Sequence, residues 1–363
     1  MFFRNSRTLL TGLMALCAAS SALAAPPFPP VRERLAEWLI LVGPGGTTFS
    51  AQRYADFLAQ TPQWPQRVRI LWRYQNALSQ TNDPQILNAL CPRYPLTLPA
   101  AFEACAPHLP DAASTARRLW LSGNALTVSE EQTLFQRFGQ SFTPADQWAR
   151  YEALELRGQF SAASRQIERL APDQQPLAGA RLAERLASPD ADSLFASLPA
   201  GVQSDPTLIR YRLRALRRGD RLDEALSLWN AQGAALQQAS PSHDWSSERI
   251  SLARALLLAG RPKEAADLAD DTTMAPDTTD CQEAALLSGI IALRELQAPA
   301  RAEKFFRSLQ DATSLQMQAR GYYWTGRALQ VADRQQDAEA AFRKAASYPT
   351  TFPGQLALAA LTR

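Results

Sequence analysis

The feature that most constrains this chain is a short turn followed by an alanine-centred helix, which recurs along its second half. The anchor alanines after these turns are Ala163, Ala225, Ala265, Ala302 and Ala338. The last four anchors are spaced by 40, 37 and 36 residues. Such a period belongs to helix–turn–helix repeats, whose hairpins stack because one hairpin cannot bury its apolar face alone. The sequence therefore predicts an all-α fold, an α-solenoid or superhelix of TPR-like helix–turn–helix repeats.

The final copy of the repeat fits the tetratricopeptide (TPR) pattern. Gly326 lies twelve residues before Ala338, and Phe342 and Ala345 follow that alanine by four and seven residues. Small side chains at 326 and 338 allow the paired helices to approach closely. Phe342 is then predicted to fill the gap to the neighbouring pair.

The region before the repeats is also helical in character but less regular. Hydrophobic residues make up 46% of the chain and glycine only 16 positions, a composition that favours helix. Val68, Leu71, Tyr74 and Leu78 follow a spacing of three and four, which predicts an apolar helical stripe. The predicted segments are a signal peptide over 1–24, an irregular helical amino-terminal arm over 25–146, and a TPR-like superhelical repeat domain over 147–363.

Several helix starts are marked by capping residues. Thr143 and Asp205 each precede a proline, which places a capping side chain before a residue suited to the first helical turn. Ser129 with Gln132 predicts a capping box, in which the serine accepts a free backbone N–H and the glutamine reaches back.

The amino terminus is typical of a secretory signal. Arg4 and Arg7 precede an apolar stretch, Leu9 to Ala19, that is too short to span a bilayer, and cleavage is predicted after Ala24. We therefore expect a periplasmic protein without a stable membrane span after cleavage. Removing the two arginines from 38 basic residues leaves 36 against 35 acidic ones, so no basic excess points to a nucleic-acid partner.

Three cysteines follow the cleavage site, and an oxidising compartment permits a bridge between two of them. Cys91 and Cys105 lie on neighbouring short segments and are the candidate disulfide, whereas Cys281 is expected to be a small buried residue. Without a close Cys-x-x-Cys pair, and with only His108 and His243, no metal site is predicted. We expect both histidines to be surface or turn residues.

No constellation for catalysis is apparent in the sequence. Acidic residues alternate with arginine, as in Glu152, Glu155 and Arg157, a pattern typical of solvated helix faces. The glycine cluster over 43–48 lacks the lysine of a phosphate-binding loop and is predicted to be a turn. Tyr322, Tyr323 and Trp324 could stack on sugar rings, but their helical spacing favours inter-helix packing.

Two motifs near the carboxy terminus carry a family resemblance, Tyr-Trp-x-Gly-Arg-Ala and Phe-x-Gly-Gln-Leu-Ala. With their flanking blocks they resemble the soluble lytic murein transglycosylases of Gram-negative bacteria, over most of residues 50–361 and most strongly after Asp205. The signature residues, structural or at a junction with a following segment, are Tyr323, Trp324, Gly326, Arg327, Phe352, Gly354 and Gln355. Pro353 departs from the family, which usually has tyrosine there, and thereby removes a backbone donor and an aromatic contact.

This resemblance implies a ring- or U-shaped helical domain that precedes a linker and a lysozyme-like catalytic domain. The family cleaves O-glycosyl bonds of peptidoglycan with a glutamate directly followed by serine, and this sequence contains no Glu-Ser dipeptide. We therefore expect no catalytic residue, no cofactor and no activity of this chain alone. The expected role is a non-catalytic scaffold in peptidoglycan binding and turnover, with glycan strands or a cell-wall enzyme as partner.

Two alternatives remain open from the sequence. A periplasmic TPR-like adaptor that binds protein would share every bulk feature described above. The chain could also be one half of an interrupted lytic transglycosylase gene, with its catalytic domain on a downstream or separate chain.

Overall fold

The computed structural model describes residues 30–60, 63–124, 126–270 and 278–362. Within these ranges every regular element is a helix and no strand occurs, which confirms the predicted all-α class. The proposed signal peptide over 1–24 lies outside the described residues. Among the helices that are described, none is both long and apolar enough to cross a bilayer.

The contacts divide the chain into two units, each of which is described by itself. The first comprises the described residues up to Ser122 together with Leu126–Phe142, and the second contains Thr143 and the residues after it. The helices of the first unit are α1 (Val31–Val42), α2 (Ala51–Gln60), α3 (Arg67–Ser79), α4 (Pro84–Leu90), α5 (Pro99–Cys105), α6 (Ala112–Leu121) and α7 (Val128–Phe138). Short 3₁₀ turns follow α5 and α7, at Ala106–His108 and Gly139–Ser141.

The helices of the second unit are α8 (Pro144–Leu156), α9 (Phe160–Ile167), α10 (Gln175–Leu186), α11 (Ala191–Ser197), α12 (Ala200–Gln203), α13 (Pro206–Arg218), α14 (Leu222–Leu228), α15 (Ala234–Ala239), α16 (His243–Leu258), α17 (Pro262–Ala269), α18 (Thr279–Arg294), α19 (Pro299–Arg307), α20 (Leu315–Val331), α21 (Gln335–Ala346) and α22 (Phe352–Leu361). A π-helical segment, Trp229–Gly233, joins α14 to α15.

The first unit is built around large aromatic side chains and one cross-link. Its core includes Tyr74 and Trp120, both without solvent exposure, and Trp120 stacks on Phe142 with ring centroids 5.1 Å apart. A disulfide joins Cys91, directly after α4, to Cys105 at the end of α5, with their Cα atoms 5.5 Å apart. Aromatic packing and a local cross-link thus connect short helices that have little repetitive pattern.

The apolar stripe predicted on α3 is only partly buried. Tyr74 and Leu78 have no exposure, but Val68 is 82% exposed. Spacing alone included Val68 in the stripe because it lies one turn before the core positions. That residue lies on the same side of the helix as Trp72, which follows one turn later and is also exposed.

The second unit is a stack of helical hairpins. From α16 to α22 each helix packs against the next, and alternate helices such as α16 and α18 also pack together. The five anchor alanines named above are all buried without exposure. Because an alanine allows the closest approach between helix axes, the recurring anchors place successive helices in contact, and the predicted α-solenoid is confirmed in this unit.

The turns within the hairpins share one backbone geometry. A residue with left-handed φ lies five positions before each anchor, and these residues are Gly158, Asp220, Gly260, Gln297 and Asp333. In four of the five turns, the backbone N–H of the residue after the left-handed one donates a hydrogen bond of 2.9 Å to a leucine carbonyl. That leucine lies five residues before the donor, as Leu256 does for Arg261. This bond satisfies a carbonyl at the end of the helix, so the reversal closes in the same way each time.

The helix starts follow the sequence prediction at two positions and depart from it at a third. Thr143 and Asp205 cap α8 and α13, each accepting a bond from a backbone N–H in the first turn. At α7 the box is instead formed by Thr127 and Glu130, so the prediction of Ser129 with Gln132 was wrong by two residues. Thr127 offers the same hydroxyl and acts first because the helix begins at Val128.

Candidate functional site

The seven signature residues lie on α20 and α22, the last helices of the stack. Gly326 faces the ring of Phe342 on α21, and a Cβ at this glycine would lie 2.6 Å from Phe342 Cε1. One repeat earlier, Gly289 faces the ring of Phe306 in the same manner. The glycine of the first motif therefore serves close helix packing.

The three aromatic residues of α20 lie in contacts with neighbouring helices. Tyr322 stacks on Tyr348 with ring centroids 6.3 Å apart and an interplanar angle of 18°. Trp324 stacks on Phe306 at 5.8 Å, and Tyr323 contacts the ring of Phe342 at 5.9 Å. All three are half-buried. The structure thus places them in inter-helix packing, the arrangement favoured from their spacing.

The second motif forms the start of α22. Thr351 caps this helix and accepts a hydrogen bond of 3.1 Å from the backbone N–H of Gly354. Gly354 is buried, and a Cβ there would overlap the carbonyl of Tyr348, so only glycine fits. Pro353 is the second residue of the helix, where the backbone N–H has no intrahelical acceptor. The backbone donor that proline lacks at this position would therefore have no acceptor within the helix.

The remaining signature residues face solvent. Phe352 is 67% exposed, and Arg327 and Gln355 are also exposed. In the part of the chain that the structure describes, Arg327 forms no ion pair, whereas Arg343 on the next helix is bonded to Glu339 at 2.9 Å. The two motifs thus combine packing residues with a small exposed set able to contact a partner.

A ladder of arginine–carboxylate pairs joins non-consecutive helices that lie side by side in the stack. Arg181 on α10 pairs with Glu155 on α8, and Arg217 on α13 pairs with Glu248 on α16 through two bonds of 2.6 and 3.1 Å. Glu155 and Glu248 are each about 2% exposed at the side chain. The prediction that Glu155 lies on a solvated face was wrong, because its partner is 26 residues away in sequence and lies on the neighbouring hairpin.

The carboxylate of Glu184 shows how this ladder affects acidity. The pKa of Glu184 is raised, because the effect of burial exceeds that of the hydrogen bond and positive charge of Arg212, which lower it. A general acid for glycoside cleavage must be held protonated beside the substrate. Glu184 instead forms an ion pair with Arg212 and is 2% exposed, which suits a structural role.

The histidines and the third cysteine occupy peripheral positions. His243 begins α16, is 78% exposed at the side chain, and has its Nδ1 atom 2.8 Å from an oxygen of Asp280. His108 is paired with Asn88 at 2.7 Å. Cys281 is half-buried, less enclosed than predicted. Across the described ranges, no group of three or more histidine, cysteine or acidic side chains is arranged to hold a metal.

Comparison with known proteins identifies the fold. No protein-family model and no curated protein sequence matches this chain. Among solved structures, an inactive mutant of the lytic transglycosylase Slt from Pseudomonas aeruginosa matches with a TM-score of 0.55 and 22% identity, covering 91% of this chain. This chain has the helical fold of a lytic transglycosylase.

The lytic transglycosylase-like fold accounts for only part of that enzyme. The chain spans 53% of the length of the matched Slt chain. The likeness establishes how the helices are arranged, and activity and substrate do not follow from it.

Proposed function

We propose that this chain is a periplasmic helical scaffold that binds the glycan strands of peptidoglycan during cell-wall turnover and does not cleave them. The observation that carries the proposal is the likeness of its helical fold to the lytic transglycosylase Slt over 91% of the chain. The signal-like amino terminus supports export to the compartment in which peptidoglycan lies.

The state of the buried acids supports the non-catalytic part of the proposal. Glu155, Glu184 and Glu248 are each paired with arginine, and the sequence has no Glu-Ser dipeptide. Each side chain is about 2% exposed, so none of them is accessible to a glycosidic oxygen. These acids instead stabilise the contacts between hairpins.

The second candidate function is that of an adaptor for a cell-wall enzyme. The exposed set of Arg327, Phe352 and Gln355 favours it, because arginine and aromatic side chains are enriched at protein interfaces. Both candidates place the contact on this chain, but they differ in the chemistry of the partner.

Two parallel pull-downs separate the candidates. Purified protein is sedimented with insoluble murein sacculi, and tagged protein is used to capture partners from a periplasmic extract treated with muramidase. We expect the protein to sediment with sacculi in the absence of any other protein. Retention in the supernatant, together with specific capture of an enzyme from the extract, would favour the adaptor.

A charge reversal tests whether the exposed signature residues contribute. Arg327→Glu is compared with Arg343→Glu, which makes the same change at an exposed position on the adjacent helix. We expect the first variant to sediment less with sacculi than the second. Equal sedimentation would remove Arg327 from the contact surface without affecting the scaffold proposal.

A further inference from the structure

An open polar pocket of about 640 Å³ lies in the first unit, between the loop that follows α1 and the exposed side of α3. Its lining includes Thr48, Phe49 and Ser50 from the loop and Trp72, Asn76 and Gln80 from the helix. The loop contains the glycine cluster that the sequence indicated as a turn. Its volume lies within the range of about 300–1,000 Å³ that is usual for small-molecule sites.

The wall of this pocket is held in place by buried hydrogen bonds. Arg73 is 5% exposed and donates from Nη1 to the carbonyl of Leu41, and the hydroxyl of Tyr54 donates to the carbonyl of Gly46. A Cβ at Gly46 would overlap the Arg73 guanidinium, so glycine is required for this close approach. The loop is therefore fixed against the helix.

Trp72 supplies an uncovered aromatic surface inside the pocket. It is 48% exposed, whereas Ile70, Tyr74 and Leu78 on the same helix have no solvent exposure. Its backbone carbonyl accepts a bond of 2.8 Å from Asn76, and its indole N–H has no partner in the described part of the chain. Leaving so large an apolar ring in water forgoes the stability that burial would give.

Polar groups surround this ring at regular spacing. Asn76 and Gln80 follow Trp72 by one and two helical turns, so their side-chain amides lie along the same side of α3. Arg73 also lines the pocket, and its buried Nε atom finds no hydrogen-bond acceptor among the described residues. The lining contains amide, hydroxyl and guanidinium groups but no acidic side chain.

We propose that this pocket binds an N-acetylated amino-sugar oligosaccharide, with a sugar ring packed on Trp72. The C–H face of a pyranose is apolar and fits a flat indole, while its hydroxyl and acetamido groups need both donors and acceptors. Side-chain amides provide both, and the hydroxyl groups of the lining add further donors and acceptors. The choice of amino sugars rests on the proposed function, whereas the pocket's fit to saccharides rests on its own chemistry.

Calorimetric titration of the purified protein tests this site. The probe is a β-1,4-linked tetrasaccharide of N-acetylglucosamine, with a maltose-series tetrasaccharide as the comparison sugar. Trp72→Ala should weaken binding of the probe by at least about tenfold, as truncation of a central tryptophan does in other binding sites. Trp72→Phe should recover most of the affinity. Val68→Ala, one turn away, exposed and outside the pocket, should leave it unchanged.

The outcomes separate this proposal from the scaffold function. Thermal unfolding of each variant shows whether it is folded, and Asn76→Ala gives a second, smaller perturbation of the same pocket. No binding of the probe, equal affinity in Trp72→Ala and wild type, or binding of free stem peptide at this site in place of sugar would each overturn it. If the protein sediments with sacculi but does not bind the tetrasaccharide, the scaffold proposal stands and the pocket proposal falls. If the tetrasaccharide binds in a Trp72-dependent manner but the protein does not sediment with sacculi, the pocket proposal stands and the scaffold proposal falls.

Discussion

The two units of this chain reach a helical fold by different physical means. The first joins short, irregular helices with a disulfide and a core of aromatic rings. The second repeats one hairpin, with buried alanine anchors, left-handed turns and arginine–carboxylate pairs between neighbours. Where a sequence pattern repeats, each contact is made many times and each one can be small. Where it does not repeat, a few large or covalent contacts must specify the structure.

The difference extends to the polar groups. In the second unit the buried carboxylates form ion pairs with arginines of neighbouring hairpins, so these groups already have partners within the fold. In the first unit, the pocket beside α3 exposes the ring of Trp72 and the side-chain amides of Asn76 and Gln80 to solvent. The comparison suggests that the second unit provides rigidity and that the first unit provides a binding pocket.

The largest expected effect comes from removing a buried charge in the second unit. Glu155→Gln leaves the guanidinium of Arg181 without its main partner, and we expect a loss of about 3–5 kcal/mol of stability. Chemical denaturation measures the loss, and hydrogen exchange followed by mass spectrometry locates it. Glu339→Gln, which breaks an exposed pair with Arg343, should change stability by less than about 0.5 kcal/mol.

A double replacement sharpens this test. Glu155→Leu combined with Arg181→Met removes both charges and should recover much of the stability, because neither ion then remains buried alone. A double variant as unstable as the single one would show that the pair is needed for more than mutual neutralisation.

The disulfide should matter to the first unit alone. Cys91→Ser with Cys105→Ser opens a loop with a sequence separation of 14 residues, at an expected cost of about 3 kcal/mol. Exchange protection should fall in residues 30–142 and stay unchanged in the stack. Cys281→Ser serves as the thiol control. Loss of protection throughout the stack would contradict the division of the chain into two separately stabilised units.

A smaller effect is expected from filling a helix contact. Gly326→Ala forces a methyl group against the ring of Phe342 and should destabilise the second unit by about 1–3 kcal/mol. Gly179→Ala is the matched control, since a Cβ there has no neighbour within 4 Å and alanine favours helix by up to about 1 kcal/mol. Thermal unfolding should therefore shift in opposite directions for these two variants.

The smallest effect concerns pH. Arg221 holds the pKa of Glu224 below its usual range through a hydrogen bond, and it lowers the pKa of Asp192 in the same way. A carboxylate with a lowered pKa stabilises the fold above its unfolded pKa, and that contribution is lost as pH falls through the folded pKa. Stability should therefore fall below about pH 4.5, and less steeply in Glu224→Gln.

The Glu224→Gln variant must be compared with wild type, because Glu184 changes the stability in the opposite direction as pH falls. Burial raises its pKa, so protonation of this group favours the folded state as pH falls. Identical pH profiles for wild type and Glu224→Gln would show that the turn pairs do not contribute.

The features that could be predicted from the sequence were local or periodic. Ala265 and Ala338 revealed the stack through their spacing, and Thr143 and Asp205 marked helix starts through neighbouring residues. The pair of Arg181 with Glu155 could not be predicted, because either residue alone is typical of a solvated helix face. Gln297 adopts a left-handed turn conformation that its residue type does not indicate.

The candidate sites divide in the same way. Gly326 and Gly354 were found through their motifs, and the structure explains them by contacts with Phe342 and Tyr348. The pocket at Trp72 was missed because its two walls come from a loop and a helix that look unrelated in sequence. An exposed tryptophan can be recognised only after the buried face of its helix is known.

The most direct test of the account is the digestion of purified murein sacculi with this protein, followed by separation and mass analysis of soluble and bound material. The account predicts that the protein is recovered on the sacculi and that no anhydromuropeptides are released. Release of 1,6-anhydro products by the purified protein would contradict it, since at least one acid would then have to act in catalysis.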